Sequence, residues 1–181
     1  MNINTAAYWD AAWGRAHEGY RADTGRMKTI RYIQERLPTG ARVLDIGGGC
    51  GMFAETIKDK HTVKVLDFSQ YAVDYLRAIG IDAEVADITA YEGQVYGTFD
   101  VAVCTDFIEH LDEPQTAVRC AYENASRAFF AVPDNCMGPD SCQEHLRVYT
   151  REGLADELRM WPHIRIEPET VGFNIIAEVW R

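Results

Sequence analysis

Side chains that can move a proton or hold a cation occur in two Glu-His pairs. Glu109-His110 lies three residues after Asp106, and Glu144-His145 lies further along the chain. A positioned carboxyl or imidazole group can act as a general acid or base. The same mixed ligands suit Mn²⁺, Co²⁺ or Zn²⁺ better than Mg²⁺. We therefore expect the catalytic residues to be His145, His110 and Glu109.

A glycine-rich loop is the second feature with chemical meaning, in the segment VLDIGGGCG at residues 43–51. Glycine has no Cβ, so the backbone can turn tightly and approach a ligand closely. The helix that follows opens with free N–H groups directed at that ligand. Further on, Asp67 could accept hydrogen bonds from a ribose diol, and Asp87 could accept one from an adenine amino group. Capping of their own loops is the structural alternative for both aspartates.

The loop also fits a competing pattern for dinucleotides. Gly49, Gly51 and Ala54 match G-x-G-x-x-A, which is typical of NAD-binding domains. Gly47 and Gly48 lie between the predicted strand and this pattern, and Asp45 precedes them. Both features count against an NAD-binding domain. An NAD-dependent oxidoreductase would also need a partner domain, which we do not find in this sequence.

The elements that must position these residues alternate between strand and helix from residue 42 onward. The predicted strands are 42–46, 62–68, 82–86, 99–105, 127–132 and two more within 163–181. The predicted helices are one capped by Thr24 and ended by residues 38–40, one at 52–58, one capped by Ser69, one near 113–125 and one from Thr150 to about Met160.

This alternation predicts an α/β fold with a doubly wound, mostly parallel seven-stranded sheet. The last two strands lack a helix between them, so they should form an antiparallel hairpin at the C-terminal edge. The 181 residues suit a single domain, 1–181. Ligands of such sheets bind beyond the carboxyl ends of the strands. The glycine loop and both Glu-His pairs follow predicted strands and should therefore meet at one edge.

An ordered series of motifs gives the sequence a family resemblance. The segment DIGGGCG (45–51), followed by Asp67 and Asp87, resembles the motifs of class I S-adenosylmethionine-dependent methyltransferases. The segment FDVAVCTDFIEHLDEP (99–114) is similar to the fourth-strand motif of that superfamily. The chain differs from the family at 124–126, where Asn-Ala-Ser replaces the usual Pro-Gly-Gly turn. The resemblance runs from about residue 24 to the C-terminus and implies a Rossmann-like methyltransferase of the small-molecule O-methyltransferase-like branch.

The resemblance implies S-adenosylmethionine as cofactor, with S-adenosylhomocysteine as product. The glycines would line its methionine and ribose parts, Asp67 would hold the ribose, Asp87 and Ile88 would contact adenine, and Cys104 and Thr105 would lie beneath the methionine. The complete implied set is Asp45, Gly47, Gly49, Gly51, Asp67, Phe68, Asp87, Ile88, Cys104 and Thr105.

The Glu-His segments also resemble those of some ubiquinone-biosynthesis O-methyltransferases and of enzymes that 2′-O-methylate the 3′ ends of small RNAs. In the latter enzymes an acid-x-x-Glu-His segment and a later His bind a divalent metal. The matching positions here are Asp106, Glu109, His110 and His145. A catalytic metal, a metal-free base role for His145 and a purely structural role stay open, and the metal is not favoured. A zinc site of Cys136, Cys142 and His145 matches no common spacing.

Aromatic residues mark the N-terminus. Tyr8, Trp9 and Trp13 recur at helical spacing, so residues 1–23 could form a lid over the cofactor. Aromatic faces would also favour a sulfonium cation. Ordinary packing of this segment on the domain is the alternative.

Composition and charge limit the partners. The net charge of −10 argues against a duplex nucleic-acid footprint. The basic cluster near the N-terminus is interpreted as a solvated helix face; its members are Arg15, Arg21, Arg26, Lys28 and Arg31. No apolar run is long enough for a membrane helix, no secretory signal is recognisable, and the five cysteines form no CxxC pair, which favours the cytoplasm.

These observations predict methyl transfer to an oxygen atom of a small-molecule acceptor. One alternative is metal-assisted methylation of an RNA or nucleotide end, which would need a positive patch near the pocket. Another is a non-catalytic S-adenosylmethionine-binding protein. The sequence predicts neither the identity of the acceptor nor the oligomeric state.

Overall fold

The computed structural model describes residues 2–21, 23–134 and 138–181, without the side chains of residues 16–21. The side chain of Arg21, from the basic cluster, and the whole of Cys136, from the alternative zinc site, therefore lie outside the described residues. The helices within these ranges are α1 (Ala6–Arg21), α2 (Thr24–Gln34), α3 (Met52–Ile57), α4 (Gln70–Ala78), α5 (Gln115–Asn124) and α6 (Arg151–Glu157). None of these described helices combines the length and apolar character that crossing a bilayer requires.

The strands form one seven-stranded sheet with the order β3-β2-β1-β4-β5-β7-β6. They are β1 (Arg42–Ile46), β2 (Thr62–Asp67), β3 (Asp82–Val85), β4 (Phe99–Thr105), β5 (Ala125–Pro133), β6 (His163–Ile166) and β7 (Asn174–Trp180). Strands β1 to β5 are parallel, and β7 runs antiparallel between β5 and β6. The predicted mostly parallel sheet with an antiparallel C-terminal hairpin is confirmed.

The winding of the sheet reverses at β1, which pairs with β2 on one side and β4 on the other. A crevice opens at such a switch point, beyond the carboxyl ends of the two central strands. Asp45 is registered with Val65 of β2 and Val103 of β4, so it lies at the centre of the sheet. The loops after β1 and β4 consequently face each other across the crevice.

Side chains of the central strands alternate between two apolar cores, one on each face of the sheet. Val43, Val65 and Val101 belong to the core that α2, α3 and α4 cover. Leu44 and Leu66 belong to the core on the other face, which α5 and α6 cover. Because both faces are buried, the strands are held rigidly and their carboxyl-end loops have fixed positions.

The start of α2 corrects one sequence expectation. Asp23, not Thr24, is the N-cap, since its Oδ1 accepts hydrogen bonds from the N–H groups of Gly25 at 2.8 Å and Arg26 at 3.1 Å. Thr24 is already inside the helix. An aspartate one position earlier reaches two of the free N–H groups of the first turn, which defines the helix start. The helix also ends earlier than expected, at Gln34.

Two other predicted caps are confirmed, whereas two element ends differ. Ser69 caps α4 and Thr150 caps α6 through their hydroxyl oxygens. Helix α6 ends at Glu157, short of the expected Met160. Strand β5 begins at Ala125 because that residue is already registered with Phe99 of β4.

Candidate active site

A cavity of about 330 Å³ opens at the carboxyl edge of the sheet, and a smaller one of about 70 Å³ adjoins it. Of the expected cofactor residues, the larger cavity is lined by Asp45, Gly47, Gly49 and Thr105. The smaller cavity is lined by Gly47, Asp67, Phe68, Asp87 and Ile88. The fold thus gathers residues from the ends of four strands around one crevice.

The glycine loop has a conformation that side chains would not fit. Gly47 and Gly49 have φ of +70° and +52°, in the left-handed region. A Cβ on Gly47 would lie 2.2 Å from the ring of Phe107, and one on Gly49 would lie 2.4 Å from the ring of Trp13. The loop therefore lines the cavity with main-chain atoms at Gly47 and Gly49, which would allow a ligand to approach the backbone closely.

Two residues of the expected cofactor set have other surroundings. Gly51 is the N-cap of α3 and has φ of +76°. A Cβ at this position would lie 2.3 Å from Cδ2 of Leu76, so the lack of a side chain allows α3 to pack on α4. The Cys104 side chain is buried in the core under α5 rather than on the cavity wall, because β4 alternates its side chains. This burial raises the pKa of the Cys104 thiol well above its ordinary value. Its neighbour Thr105 lines the cavity.

Asp67 connects the ends of β1 and β2. Its Oδ2 accepts the N–H of Gly49 at 2.8 Å, and its Oδ1 accepts the N–H of Ser69 at 2.9 Å. Burial raises the pKa of Asp67 to about 6. Each carboxylate oxygen can accept more than one hydrogen bond. Asp67 therefore caps the loop, as the structural alternative holds, and can also accept bonds from a ligand in the smaller cavity.

Asp87 lies in an exposed position at the rim of the smaller cavity. Its Oδ1 accepts hydrogen bonds from the backbone N–H of Thr89 at 2.9 Å and from the Thr89 hydroxyl at 2.7 Å. These bonds cap the 3₁₀ turn Ile88–Ala90. The turn presents Ile88 to the same cavity, so Asp87 also has a structural role in shaping its wall.

Asp45 is buried beneath the glycine loop. A Cβ on Gly48 would lie 2.6 Å from its Oδ2, which has no hydrogen-bond partner within the described ranges. Burial, and to a lesser extent the charge of Asp67, raise the pKa of Asp45 to about 7. Near neutral pH this carboxyl group therefore holds its proton in a large share of the molecules.

The three expected catalytic residues meet at the wall of the larger cavity. Glu109, His110 and His145 place one ligand atom each within 4.8 Å of one another. The two imidazole rings are in edge-to-face contact, with centroids 4.8 Å apart. The 3₁₀ turn Ile108–His110 after β4 supplies two of these residues, and the loop after β5 supplies the third.

His110 has a defined tautomer. Its Nδ1 lies 2.9 Å from the main-chain carbonyl oxygen of Glu144, which can only accept, so Nδ1 carries the proton. Burial lowers the pKa of His110 to about 4. The ring is therefore neutral at neutral pH, and its Nε2 carries the free lone pair.

Glu109 is a buried acid whose charge is only weakly compensated by its surroundings. Both carboxylate oxygens lack a hydrogen-bond partner in the described part of the chain. Burial, and then the charge of Asp106, raise its pKa well above the ordinary value for glutamate. Its Oε1 lies 3.9 Å from Nε2 of His110. Such a group is stable either as the neutral acid or beside a cation.

Asp106 stands apart from that cluster. It has φ of +48°, and its Oδ2 accepts a hydrogen bond from Nε of Arg26 at 3.1 Å while its Oδ1 accepts one from Nδ2 of Asn174 at 2.5 Å. The metal-ligand set implied by the resemblance is therefore reduced to three grouped residues. The fourth residue of the implied set, Asp106, is held in an ion pair on the cavity wall.

Arg26 is a site residue that the sequence analysis missed. The sequence predicts that Arg26 belongs to a solvated helix face, but the residue lines the larger cavity together with Thr29 and Ile30. The signal that could have revealed it is the spacing i, i+3, i+4, which places all three on one face of α2. Ile30 is buried in the core, so that face points inward.

The N-terminal segment contributes residues to the walls of both cavities. Trp9 and Trp13 line each of them, and their rings are 5.5 Å apart. Helix α1 is tied to the start of α4 through Asp10, whose Oδ1 accepts bonds from the Ser69 hydroxyl at 2.6 Å and the Tyr71 N–H at 3.0 Å. The sequence singled out these aromatic residues but gave no sign of the polar contacts that hold the segment.

Comparison with known proteins agrees with this geometry. A protein-family model described as a methyltransferase domain matches residues 17–173. A ubiquinone biosynthesis O-methyltransferase from Escherichia coli O7:K1 is 35% identical over 126 residues, which cover 63% of this chain and 50% of that protein. One from Xanthomonas axonopodis pv. citri is 28% identical over 125 residues, with the same coverage. The chain thus spans about half the length of these curated relatives.

Solved structures share the fold at low sequence identity. A methyltransferase from Thermotoga maritima, described as a possible histamine N-methyltransferase, has a TM-score of 0.78 at 15% identity, covering 96% of this chain and 98% of its own. The 1,6-didemethyltoxoflavin-N1-methyltransferase of Burkholderia thailandensis, solved with S-adenosylhomocysteine, has a TM-score of 0.73 at 15% identity. It covers 97% of this chain and 86% of its own.

Proposed function

Because this chain belongs to the S-adenosylmethionine-dependent methyltransferases, we propose that it transfers a methyl group to an oxygen atom of a small-molecule acceptor. The observation that carries the proposal is the cluster of Glu109, His110 and His145 on the wall of the cavity that the glycine loop also lines. Oxygen nucleophiles usually need a base or a metal to remove their proton. The cluster offers groups for either task.

The chain's part in the reaction is mainly positioning. When bound, S-adenosylmethionine supplies a methyl group already activated by the sulfonium charge. The bare backbone at Gly47 and Gly49 and the carboxylate of Asp67 would hold that cofactor across the two cavities. Trp9 and Trp13 would exclude water from its reactive side. The acceptor oxygen would then be held in line with the methyl group.

We assign the proton transfer to the histidine pair. His145 would accept the proton of the acceptor hydroxyl as the oxygen attacks. His110 would stay neutral because burial lowers its pKa to about 4, and it would support His145 through the ring contact. Burial raises the pKa of Glu109 and so favours its neutral form, which would add no charge to a metal-free site.

A divalent cation is the alternative source of activation, and the same residues fit it. Glu109, His110 and His145 offer one carboxylate and two imidazole ligands, a set that suits Mn²⁺ or Zn²⁺. The absence of any hydrogen bond to the buried Glu109 carboxylate supports this fit within the described residues. A bound cation would polarise the acceptor oxygen and lower its pKa.

The acceptor is proposed to be modest in size. The larger cavity, about 330 Å³, must hold it together with the methionine end of the cofactor. Duplex nucleic acid is a poor candidate because the net charge is −10 and Arg26 is paired with Asp106 inside the cavity. The matching relatives are named as O-methyltransferases, which supports oxygen as the target. We place the reaction in the cytoplasm.

The first test is calorimetric titration with S-adenosylhomocysteine, with NAD⁺ as control. We expect micromolar binding of the first compound and none of the second. Small hydroxylated acceptors would then be screened for turnover, with and without EDTA followed by Mn²⁺ or Zn²⁺. Turnover that survives EDTA supports the histidine base, and turnover that EDTA abolishes and a cation restores supports the metal. Cofactor binding with no turnover of any hydroxylated acceptor would count against O-methylation.

A further inference from the structure

Asn4 connects the N-terminal segment to both loops that carry the histidine cluster. Its Nδ2 donates to the main-chain carbonyl of Glu144 at 2.8 Å and lies 3.2 Å from the carbonyl of His110. Its Oδ1 accepts the indole N–H of Trp9 at 3.2 Å. One amide side chain thus joins the loop after β4, the loop after β5 and an aromatic wall of the cavity.

A second contact from the same segment reaches the same turn. The hydroxyl of Tyr8 donates to Oε1 of Glu144, and the thiol of Cys142 lies 3.1 Å from Oε2. The Tyr8 bond is the main reason why the pKa of Glu144 is lowered, so the carboxylate remains an acceptor at neutral pH. The Glu144 backbone and side chain are therefore both held by residues of the N-terminal segment.

The Glu144 carbonyl is also what fixes the tautomer of His110. It receives the Nδ1–H of His110 at 2.9 Å, so it accepts from Asn4 and from His110 at once. If this carbonyl moves away, no other hydrogen bond within the described residues holds the proton on Nδ1, and the lone pair is no longer kept on Nε2. The position of the N-terminal segment and the state of the imidazole are thus linked through a single oxygen atom.

We propose that Asn4 and Tyr8 are positioning residues, which hold the Glu144 turn so that His110 keeps its proton on Nδ1 and its Nε2 lone pair faces Glu109 in the cluster beside His145. The contacts that hold the N-terminal segment over the cofactor would then also fix the tautomer of His110. This inference rests on the proposed function in so far as the cluster takes part in the reaction. It adds a second role to the N-terminal segment, to which the proposed function assigns only the exclusion of water.

The test compares the full-length wild type with Asn4→Asp and Tyr8→Phe. Asn4→Asp keeps the oxygen that accepts from Trp9 but removes both N–H donors, and Tyr8→Phe removes only the hydroxyl. Nitrogen-15 spectra of the histidine rings at neutral pH report the tautomer directly. We expect the wild-type His110 to carry its proton on Nδ1, and each variant to show a mixture of tautomers. We also expect kcat to fall about tenfold, part of what a positioned base contributes, with S-adenosylhomocysteine affinity changed less than about twofold.

The matched control is Tyr71→Phe, which removes a hydroxyl from another tyrosine that bonds to α1 through its backbone N–H and that lines neither cavity. It should leave the His110 spectrum and turnover unchanged. An unchanged His110 tautomer in both folded variants overturns the inference, and so does a loss of cofactor affinity as large as the loss of kcat. The spectra and the titration need no acceptor, so a failure of O-methylation itself would be recognised separately. If Asn4→Asp does not fold, Tyr8→Phe alone decides.

Discussion

At the scale of single residues, burial determines the protonation of the groups around the cavity. The pKa of Asp45 is raised to about 7, that of Glu109 is raised well above its ordinary value, and that of His110 is lowered to about 4. Each shift favours the neutral form, because charge is costly in a site shielded from water. The site therefore holds less charge near neutral pH than its acidic sequence suggests.

Replacement of Asp67 tests the ribose contact. Asp67→Ala removes a carboxylate that can accept from a diol and that also holds Gly49 and Ser69. We expect S-adenosylhomocysteine binding to weaken by about 1–3 kcal/mol, since a charge-assisted partner is lost. Calorimetric titration measures this change. Asp82→Ala, at the opposite end of a neighbouring strand, is the control, and an unaltered affinity in Asp67→Ala would remove Asp67 from the cofactor site.

Replacement of His145 tests the base. His145→Ala should lower kcat by about 10²-fold, the lower end of what general base catalysis contributes, while cofactor affinity changes much less. Steady-state kinetics and calorimetry separate these effects. His163→Ala, which alters a ring stacked on Trp180 at the sheet edge, should have neither effect. Wild-type turnover in His145→Ala would mean that this residue has a structural role.

At the scale of elements, the cavity depends on how closely helices approach the loops. Gly51 lets α3 begin against Leu76 of α4, and Gly47 and Gly49 let Phe107 and Trp13 lie on the loop after β1. The N-terminal segment is held at one end by Asn4 and in the middle by Asp10. The role of residues 1–23 as a lid over the cofactor stays a proposal, and Met1, Ala22 and the side chains of residues 16–21 lie outside the described residues.

Gly51→Ala tests the packing of α3 on α4. The added Cβ would meet Leu76 at 2.3 Å, and φ of +76° is unfavourable for alanine. We expect the free energy of unfolding in urea to fall by about 2–4 kcal/mol, from strain and overpacking together. Gly40→Ala has a similar φ of +68° but open space around the Cβ, so it should lose only about 1 kcal/mol. Equal losses in the two variants would refute the packing argument.

At the scale of the whole molecule, the reversal of winding at β1 brings the distant parts of the site together. Residues from α1, α2 and the loops after β1, β4 and β5 all reach the larger cavity. The central strands are buried on both faces, so charges placed at their ends are withdrawn from water. This arrangement links the stability of the fold to pH.

Asp45 makes that link measurable. Its pKa is 3.8 in an ordinary setting and about 7 in the fold, so between about pH 4 and pH 7 the folded chain holds a proton that the unfolded chain releases. Stability should therefore fall as pH rises through this range, by at most about 1.4 kcal/mol per unit. Asp45→Asn should make the fall of urea-derived stability over this range less steep, whereas Asp59→Asn on the exposed surface should not. A slope that is the same in Asp45→Asn and wild type would contradict the raised pKa.

The architecture and most of the residues that meet at the candidate site follow from patterns within short segments of the sequence. Strand and helix periodicities are local, so the order of elements, the glycine loop and the caps at Ser69 and Thr150 could be predicted from short segments. The rule that ligands bind at the carboxyl edge then placed Asp67, His110 and His145 together.

Contacts between distant segments, in contrast, could be found only in the folded chain. The pairing of Arg26 with Asp106, the reach of Asn4 to Glu144 and the inward direction of Cys104 depend on strand register and on the angle at which helices pack. Those quantities arise from the packing of the complete core and leave no periodic signal in any one segment. The charge state of the cavity follows for the same reason, because burial shifts a pKa only once the fold has withdrawn the group from water.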